Sequence, residues 1–173
     1  NNEYSADTLA AVLSFMEGGG GIVTAGWYRF GVISTSGQAA PDADAITPVV
    51  TGGAYNFENS STLIINSIVH DITAGVGDIF VSGCCIETAT ALDGGATELA
   101  TASYGGAAVA YQDAVGRSVY LGLLYQANAP YYGTSALRSG DADRLLEQSL
   151  AWAAGANPTT VPEPGTLALL GLG

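Results

Sequence analysis

The stretch "LAAVLSFMEGGGGIVTAG", Leu9 to Gly26, sets the architecture. Leu9, Val12, Leu13 and Met16 recur at helical spacing behind Ser5 or Asp7 as N-cap, so its first half predicts an amphipathic helix stopped at Gly18. The short β-branched run that follows, closed by Gly26, predicts a buried strand entered through a tight turn. A helix leading straight into a buried strand is one unit of a layered α/β fold.

The rest of the chain continues the alternation. "STLIINSIVHDITAGVGDIFVSGCC" gives an apolar segment, a turn and a β-rich run from Asp78 to Val81. "TELATASYGGAAVAYQDAVGRSVYLGLLYQ" predicts a strand near Glu98 to Ala102, then a hairpin with arms Ala107 to Gln112 and Arg117 to Leu123 about the turn Asp113 to Gly116. "SGDADRLLEQSLAWAAG" has Ser139 or Asp141 as cap, early acids, Leu145, Leu146, Leu150 and Trp152 on one broad face, and Gly155 as stop. Trp27 to about Ala54 is rich in small and polar residues and reads as a long loop. The expected fold is a three-layer α/β domain with a mixed sheet. The hairpin lies near its centre, and helices at Leu9 to Glu17 and Asp141 to Ala154 cover it.

Composition narrows the partners. The 173 residues fit one domain with a single core. All four basic side chains are arginines, Arg29, Arg117, Arg138 and Arg144, and against 16 acids they leave a net charge of -12. Such a surface repels phosphate backbones and cannot build a basic stripe, which excludes nucleic acid as a partner. The two cysteines, Cys84 and Cys85, are adjacent, a spacing that makes neither a disulfide framework nor a zinc site. They are expected as small buried strand residues, one per face, with a vicinal disulfide or a bridge between chains as the oxidised alternatives.

The order of "LAAVLSFMEGGGGIVTAG", "HDITAGVGDIF", "VAYQDAVGRSVYLGLLYQ" and "LLEQSLAWAAG" resembles the later half of the class I glutamine amidotransferase-like superfamily, especially its trehalose-utilisation-like (ThuA-like) branch. The resemblance spans roughly Leu9 to Gly155 and implies a flavodoxin-like three-layer domain over residues 1–156. Two departures stand out. Asp71 follows His70 where that family has Pro, and the opening βαβ part of the fold has no counterpart before Asn1, so the chain is expected to be a fragment or to have the missing part supplied by another chain. The end of the chain, "VPEPGTLALLGLG", resembles the PEP-CTERM sorting signal of Gram-negative, exopolysaccharide-producing bacteria, with Val161, Pro162, Glu163 and Pro164 as the motif. That resemblance implies export to the cell surface and processing by exosortase, with residues 157–173 forming a linker and a truncated tail. The apolar run from Thr166 is far short of the roughly 20 residues that span a bilayer.

Candidate chemistry is sparse. A glutamine amidotransferase site needs a cysteine on a sharp strand-to-helix elbow, a histidine base and an orienting acid. His70, Cys84, Cys85 and Glu87 are the residues able to supply it, but "VSGCCIETAT" lacks the Gly-flanked elbow. His70 before Thr-Ala-Gly reads first as the cap of a turn. Asp42 and Asp44 in "PDADA", with Asp141 and Asp143 in "GDADR", resemble oxygen-rich calcium loops without the full ligand ladder. Asn59 fits the N-x-S/T glycosylation pattern, which marks an exposed loop. Tyr131 and Tyr132 beside Pro130 suit a protein interface or a sugar platform. Leu167, Leu169, Leu170 and Leu172, each with about 1.5 to 3 kcal/mol of burial to gain, are expected to dock into a neighbouring copy. No catalytic residue, metal or cofactor is therefore assigned. The leading expectation is a non-catalytic surface or matrix protein that assembles into a homo-oligomer or filament, and the alternative is a secreted hydrolase or carbohydrate-binding domain acting on exopolysaccharide.

Overall fold

A computed structural model describes residues 5–36, 41–52, 56–83, 85–113, 116–125, 137 and 139–155. The first helix, α1 (Ala6–Glu17), starts where Ser5 accepts the Thr8 amide at 3.3 Å and has Asp7 in its first turn, where the helix dipole favours an acid. It leads through the glycines into β1 (Gly21–Ala25). Next come α2 (Tyr28–Ser36) and the short α3 (Pro41–Asp44), then β2 (Asn56–Glu58) and β3 (Ser61–Ile65). A 3-10 turn at Asp71–Thr73 precedes β4 (Ile79–Val81) and β5 (Ile86–Thr88). Strands β6 (Thr97–Ala102), β7 (Ala107–Asp113) and β8 (Arg117–Leu121) lead to α4 (Gly140–Ala153).

Six strands form one mixed sheet in the order β1-β8-β7-β6-β3-β4, and β2 pairs with β5 in a small second sheet. The β7–β8 hairpin lies near the centre as expected. Among the described residues, β1 with β8 is the one parallel pairing in the large sheet, and the others are antiparallel. A break of register in β6 around Ala100 marks a bulge, the device that bends a strand and curls a sheet.

Cross-strand partners share a face, so the register assigns the two sides of the sheet. Ile65, Ala100, Val109, Leu121 and Ala25 run across one face as successive partners, Leu63 shares that face two residues before Ile65, and these residues form or flank the core with Leu145 and Trp152 of α4. Ile22 is on the opposite face and packs with Leu9, Met16, Tyr28, Val32, Ala43 and Ile46 of the α1–α2–α3 side. Helices thus cover both faces of a broadly α/β domain.

The reading of Trp27 to Ala54 as loop is corrected here, because α2 and α3 both fall inside it. Gly31 and the β-branched Val32, Ile33 and Thr35 are poor helix formers, so local propensity hides α2. What holds it is tertiary: Tyr28 and Val32, one turn apart, are both buried. The Tyr28 hydroxyl also donates to the Ala43 carbonyl at 2.9 Å, tying α2 to α3.

Candidate functional site

The most organised polar site is built where β1 meets α2. Gly26 ends the strand with its amide on the Leu123 carbonyl at 3.0 Å, and a Cβ there would lie 2.6 Å from that oxygen. Trp27 then turns the chain with φ at +66°, a left-handed conformation uncommon for a side-chain-bearing residue. Helix α2 begins at once, leaving its first amides without partners inside the helix.

Glu87 of β5 supplies those partners. Its Oε2 accepts the Arg29 amide at 3.2 Å, and its Oε1 accepts the Phe30 amide at 2.8 Å. The Tyr120 hydroxyl of β8 adds a third donor to Oε2 at 3.0 Å. Gly122 makes the placement possible, since a Cβ there would fall 2.0 Å from the Glu87 carbonyl oxygen. The Arg29 guanidinium, fully buried, donates to the carbonyls of Val50 at 3.1 Å, Thr88 at 2.5 Å and Gly52 at 3.2 Å. Burial pushes the Glu87 carboxyl above its ordinary value, while the amides of Phe30 and Arg29, the Tyr120 hydroxyl and the Arg29 charge pull it down.

A strained strand-to-helix turn is where α/β hydrolases mount a nucleophile. Here that position carries an indole, which offers neither a hydroxyl nor a thiol. The indole lies edge-on to Phe30 at 5.1 Å and tilted to Phe57 at 6.2 Å, so the elbow presents an aromatic cluster. Sequence reading missed this site because α2 was hidden. The available signal was an arginine set among aromatics in "GWYRF", in a chain with four basic residues.

His70 and Glu87, two of the residues weighed for catalysis, do not converge. His70 stacks on Tyr111 at 3.9 Å and lies edge-on to Trp152 of α4 at 5.5 Å. Glu87 sits by Tyr120, on the opposite face, because Tyr111 pairs with Val119 and Tyr120 is the next residue along β8. His70 caps the 3-10 turn, its Nδ1 accepting the Ile72 amide at 3.2 Å, and burial holds its pKa below the ordinary value against the raising effect of Asp71.

Cys85 overturns the expectation of a free strand thiol. It is buried just before β5 and is disulfide-bonded. Its sulfur lies 3.3 Å from Asn59 Oδ1, and because a disulfide sulfur carries no hydrogen this is a packing contact. A sulfur so bonded is not a thiolate. Cys84 lies outside the described residues, as do Tyr131, Tyr132, Val161, Pro162, Glu163, Pro164, Leu167, Leu169, Leu170 and Leu172.

The calcium candidates are spread over two sides of the sheet. Asp42 and Asp44 belong to α3, and Asp44 Oδ1 accepts the Thr51 amide at 2.6 Å and the Thr51 hydroxyl at 2.5 Å. Asp141 and Asp143 are in the first turn of α4, with Asp141 3.7 Å from Arg144. Among the described residues no three His, Cys, Asp or Glu side chains gather as a metal site, and no helix is long and apolar enough to cross a membrane. Asn59 is exposed.

No curated protein and no solved structure matches the chain. Residues 160–173 match the PEP-CTERM protein-sorting motif. That motif marks a chain for export, exosortase processing and association with the bacterial cell surface.

Proposed function

We propose that this is a non-catalytic surface or extracellular-matrix protein of a Gram-negative bacterium that assembles with copies of itself. The observation that carries the reading is the sorting motif at residues 160–173. The elbow supports it, because the turn that would hold a nucleophile holds Trp27 and the nearby acid is spent on capping α2. On this reading the body is a remodelled amidotransferase-like, flavodoxin-derived scaffold, and the chemistry of its site has been replaced by packing. Large apolar side chains left in solvent, Val69 at 99% and Phe80 at 64% exposed, support assembly in a chain of such high charge.

The test is made on protein secreted by the native host and by an exosortase-deficient strain. The expected result is polymeric material at the surface of the first and its mislocalisation in the second. Monomers in both at millimolar concentration, or a covalent adduct with a glutamine-analogue electrophile, would sink the reading. A second reading, exopolysaccharide binding, is favoured by the cluster of Trp27, Phe30 and Phe57, since exposed rings are stacking surfaces for sugars. Retardation in gels containing the host polysaccharide, lost in Phe30→Ala and Phe57→Ala proteins, would establish it.

A further inference from the structure

We propose that Cys85 is bonded to Cys84, and that this vicinal disulfide is a redox-active site. Opened by a dithiol, it releases the corner that holds β5 and, through β5, the start of α2 and its rings. The inference stands apart from the assembly reading, since it concerns a covalent switch within one chain.

The partner follows by elimination. Cys85 is disulfide-bonded, and Cys84 is the one other cysteine in the chain. A bridge to a second copy needs the Cys85 sulfur at the surface, whereas that residue is 3% exposed.

The bond sits at a corner of the fold. Val81 of β4 pairs with Ser61 of β3, and Ile86 of β5 pairs with Glu58 of β2. The same two arms thus run from the large sheet into the small one, with four residues between the pairings on one arm against two on the other. Surplus residues of this kind bend a strand pair. The bend is pinned by a reciprocal pair of bonds between residues of positive φ. Ser60, at +47°, donates its amide to the Gly83 carbonyl at 2.7 Å, and Gly83, at +84°, donates its amide to the Ser60 hydroxyl at 3.2 Å. Successive side chains of an extended strand point to opposite faces, so two sulfurs joined side by side interrupt one, and β5 starts at the next residue, Ile86.

Strand β5 carries the consequence. Glu87, two residues after Cys85, pairs with Phe57 and caps α2 through the Arg29 and Phe30 amides. Trp27 lies against the rings of both Phe30 and Phe57. Whatever sets the position of β5 therefore sets all three rings.

Neighbouring Cα atoms are about 3.8 Å apart, less than the roughly 4.4 Å at which disulfides ordinarily begin, and such bonds are among the labile ones that thiols open. A thiolate of the dithiol attacks the Cys84 sulfur, the S–S bond breaks, and its electron pair leaves on the Cys85 sulfur, which takes a proton. The reagent's second thiolate then displaces the Cys84 sulfur, which takes the other proton, and closes the reagent's own disulfide. The dithiol is oxidised by two electrons and the protein disulfide is reduced by two. The Cys85 thiol so formed finds an acceptor in place, Asn59 Oδ1 at 3.3 Å, to which a disulfide sulfur donates nothing. With the bond open the corner loses its constraint, and the cap on α2 loosens.

The experiment uses the full-length chain purified without reductant. Iodoacetamide added to the denatured chain is expected to leave both cysteines unlabelled before dithiothreitol and to label both after it, and the oxidised chain is expected to run as a monomer on a non-reducing denaturing gel. In the folded chain, hydrogen exchange followed by NMR is expected to be about tenfold faster at the Arg29 and Phe30 amides after reduction, with Thr24 of β1 and Leu145 of α4 unchanged. A chain carrying both Cys84→Ala and Cys85→Ala should exchange as the reduced parent does and ignore dithiothreitol. Labelling without reductant overturns the disulfide, and a dimer that dithiothreitol dissolves overturns the vicinal pairing. Reduction that leaves Arg29 and Phe30 unchanged, or that speeds every amide alike, overturns the switch. None of these readouts depends on assembly or on polysaccharide, so failure here is distinct from failure of either reading of the function.

Discussion

Glu87 shows what a buried carboxylate does when its partners are backbone amides. Removing it as Glu87→Ala takes the carboxylate from the Arg29 and Phe30 amides, at about 1 to 3 kcal/mol for each buried group, while the Tyr120 hydroxyl keeps the backbone carbonyl of residue 87 at 3.2 Å. A total loss of about 2 kcal/mol or more is expected by urea denaturation. Its titration has a definite sign. With the folded carboxyl held above its ordinary value by burial, the contribution is fully present below the ordinary glutamate range and is lost as pH rises through the raised one. The difference in stability between the parent and Glu87→Gln should therefore shift against the parent on raising pH, and a flat difference would contradict the assignment. His70 works the other way. Its folded pKa is depressed by burial, so stability is lost as pH falls through about 6.5 towards the folded value. Protonation at Nδ1 also removes the acceptor for the Ile72 amide. Asn at position 70 keeps a capping oxygen without titrating, so melting curves of His70→Asn should lack the parent's additional loss between neutral and mildly acid pH.

At the scale of elements, two glycines test whether the site depends on the antiparallel bridge of β5 to the chain just after β8. Gly122→Ala places a methyl 2.0 Å from the Glu87 carbonyl oxygen, which has to move and take the carboxylate off the start of α2. A loss of about 3 kcal/mol or more is expected. Gly94→Ala, with nothing within 4 Å of the new methyl, should stay within about 0.5 kcal/mol by the same denaturation assay. These elements also show what the sequence made legible. The helices α1 and α4, the strand β1 and the β7–β8 hairpin were readable because each has its own periodicity, cap or turn glycine. Helix α2 was not, since its N-terminal partner is Glu87, 57 residues from Phe30, and its interior is β-branched. Strands β2 and β5 are three residues each, too short to show a period, and are fixed by pairing with one another. The polar site was hidden for the same reason: Arg29, Glu87 and Tyr120 are distant in the chain and meet only after the sheet has formed.

For the whole molecule, the sorting motif was readable in the sequence because such a signal is local and read as sequence. The self-assembly reading has its own electrostatic signature. With a net charge of -12, copies repel at low ionic strength, so polymer should increase with added salt and as pH is lowered towards the pI of about 4.1. Size exclusion at several salt concentrations measures this, and dissociation on adding salt would point instead to charge-paired contacts. The parallel pairing of β1 with β8 has a consequence in time. Thr24 of β1 bonds to Val119 of β8 across 95 residues of sequence. A chain made from its N-terminus presents β1 early and completes its partner late, and closing so long a loop is slow. Until then "GIVTA" is an uncharged strand without its β8 partner, the kind of segment that finds other chains before its own. During synthesis and export, β1 gains from a chaperone until β8 has been made.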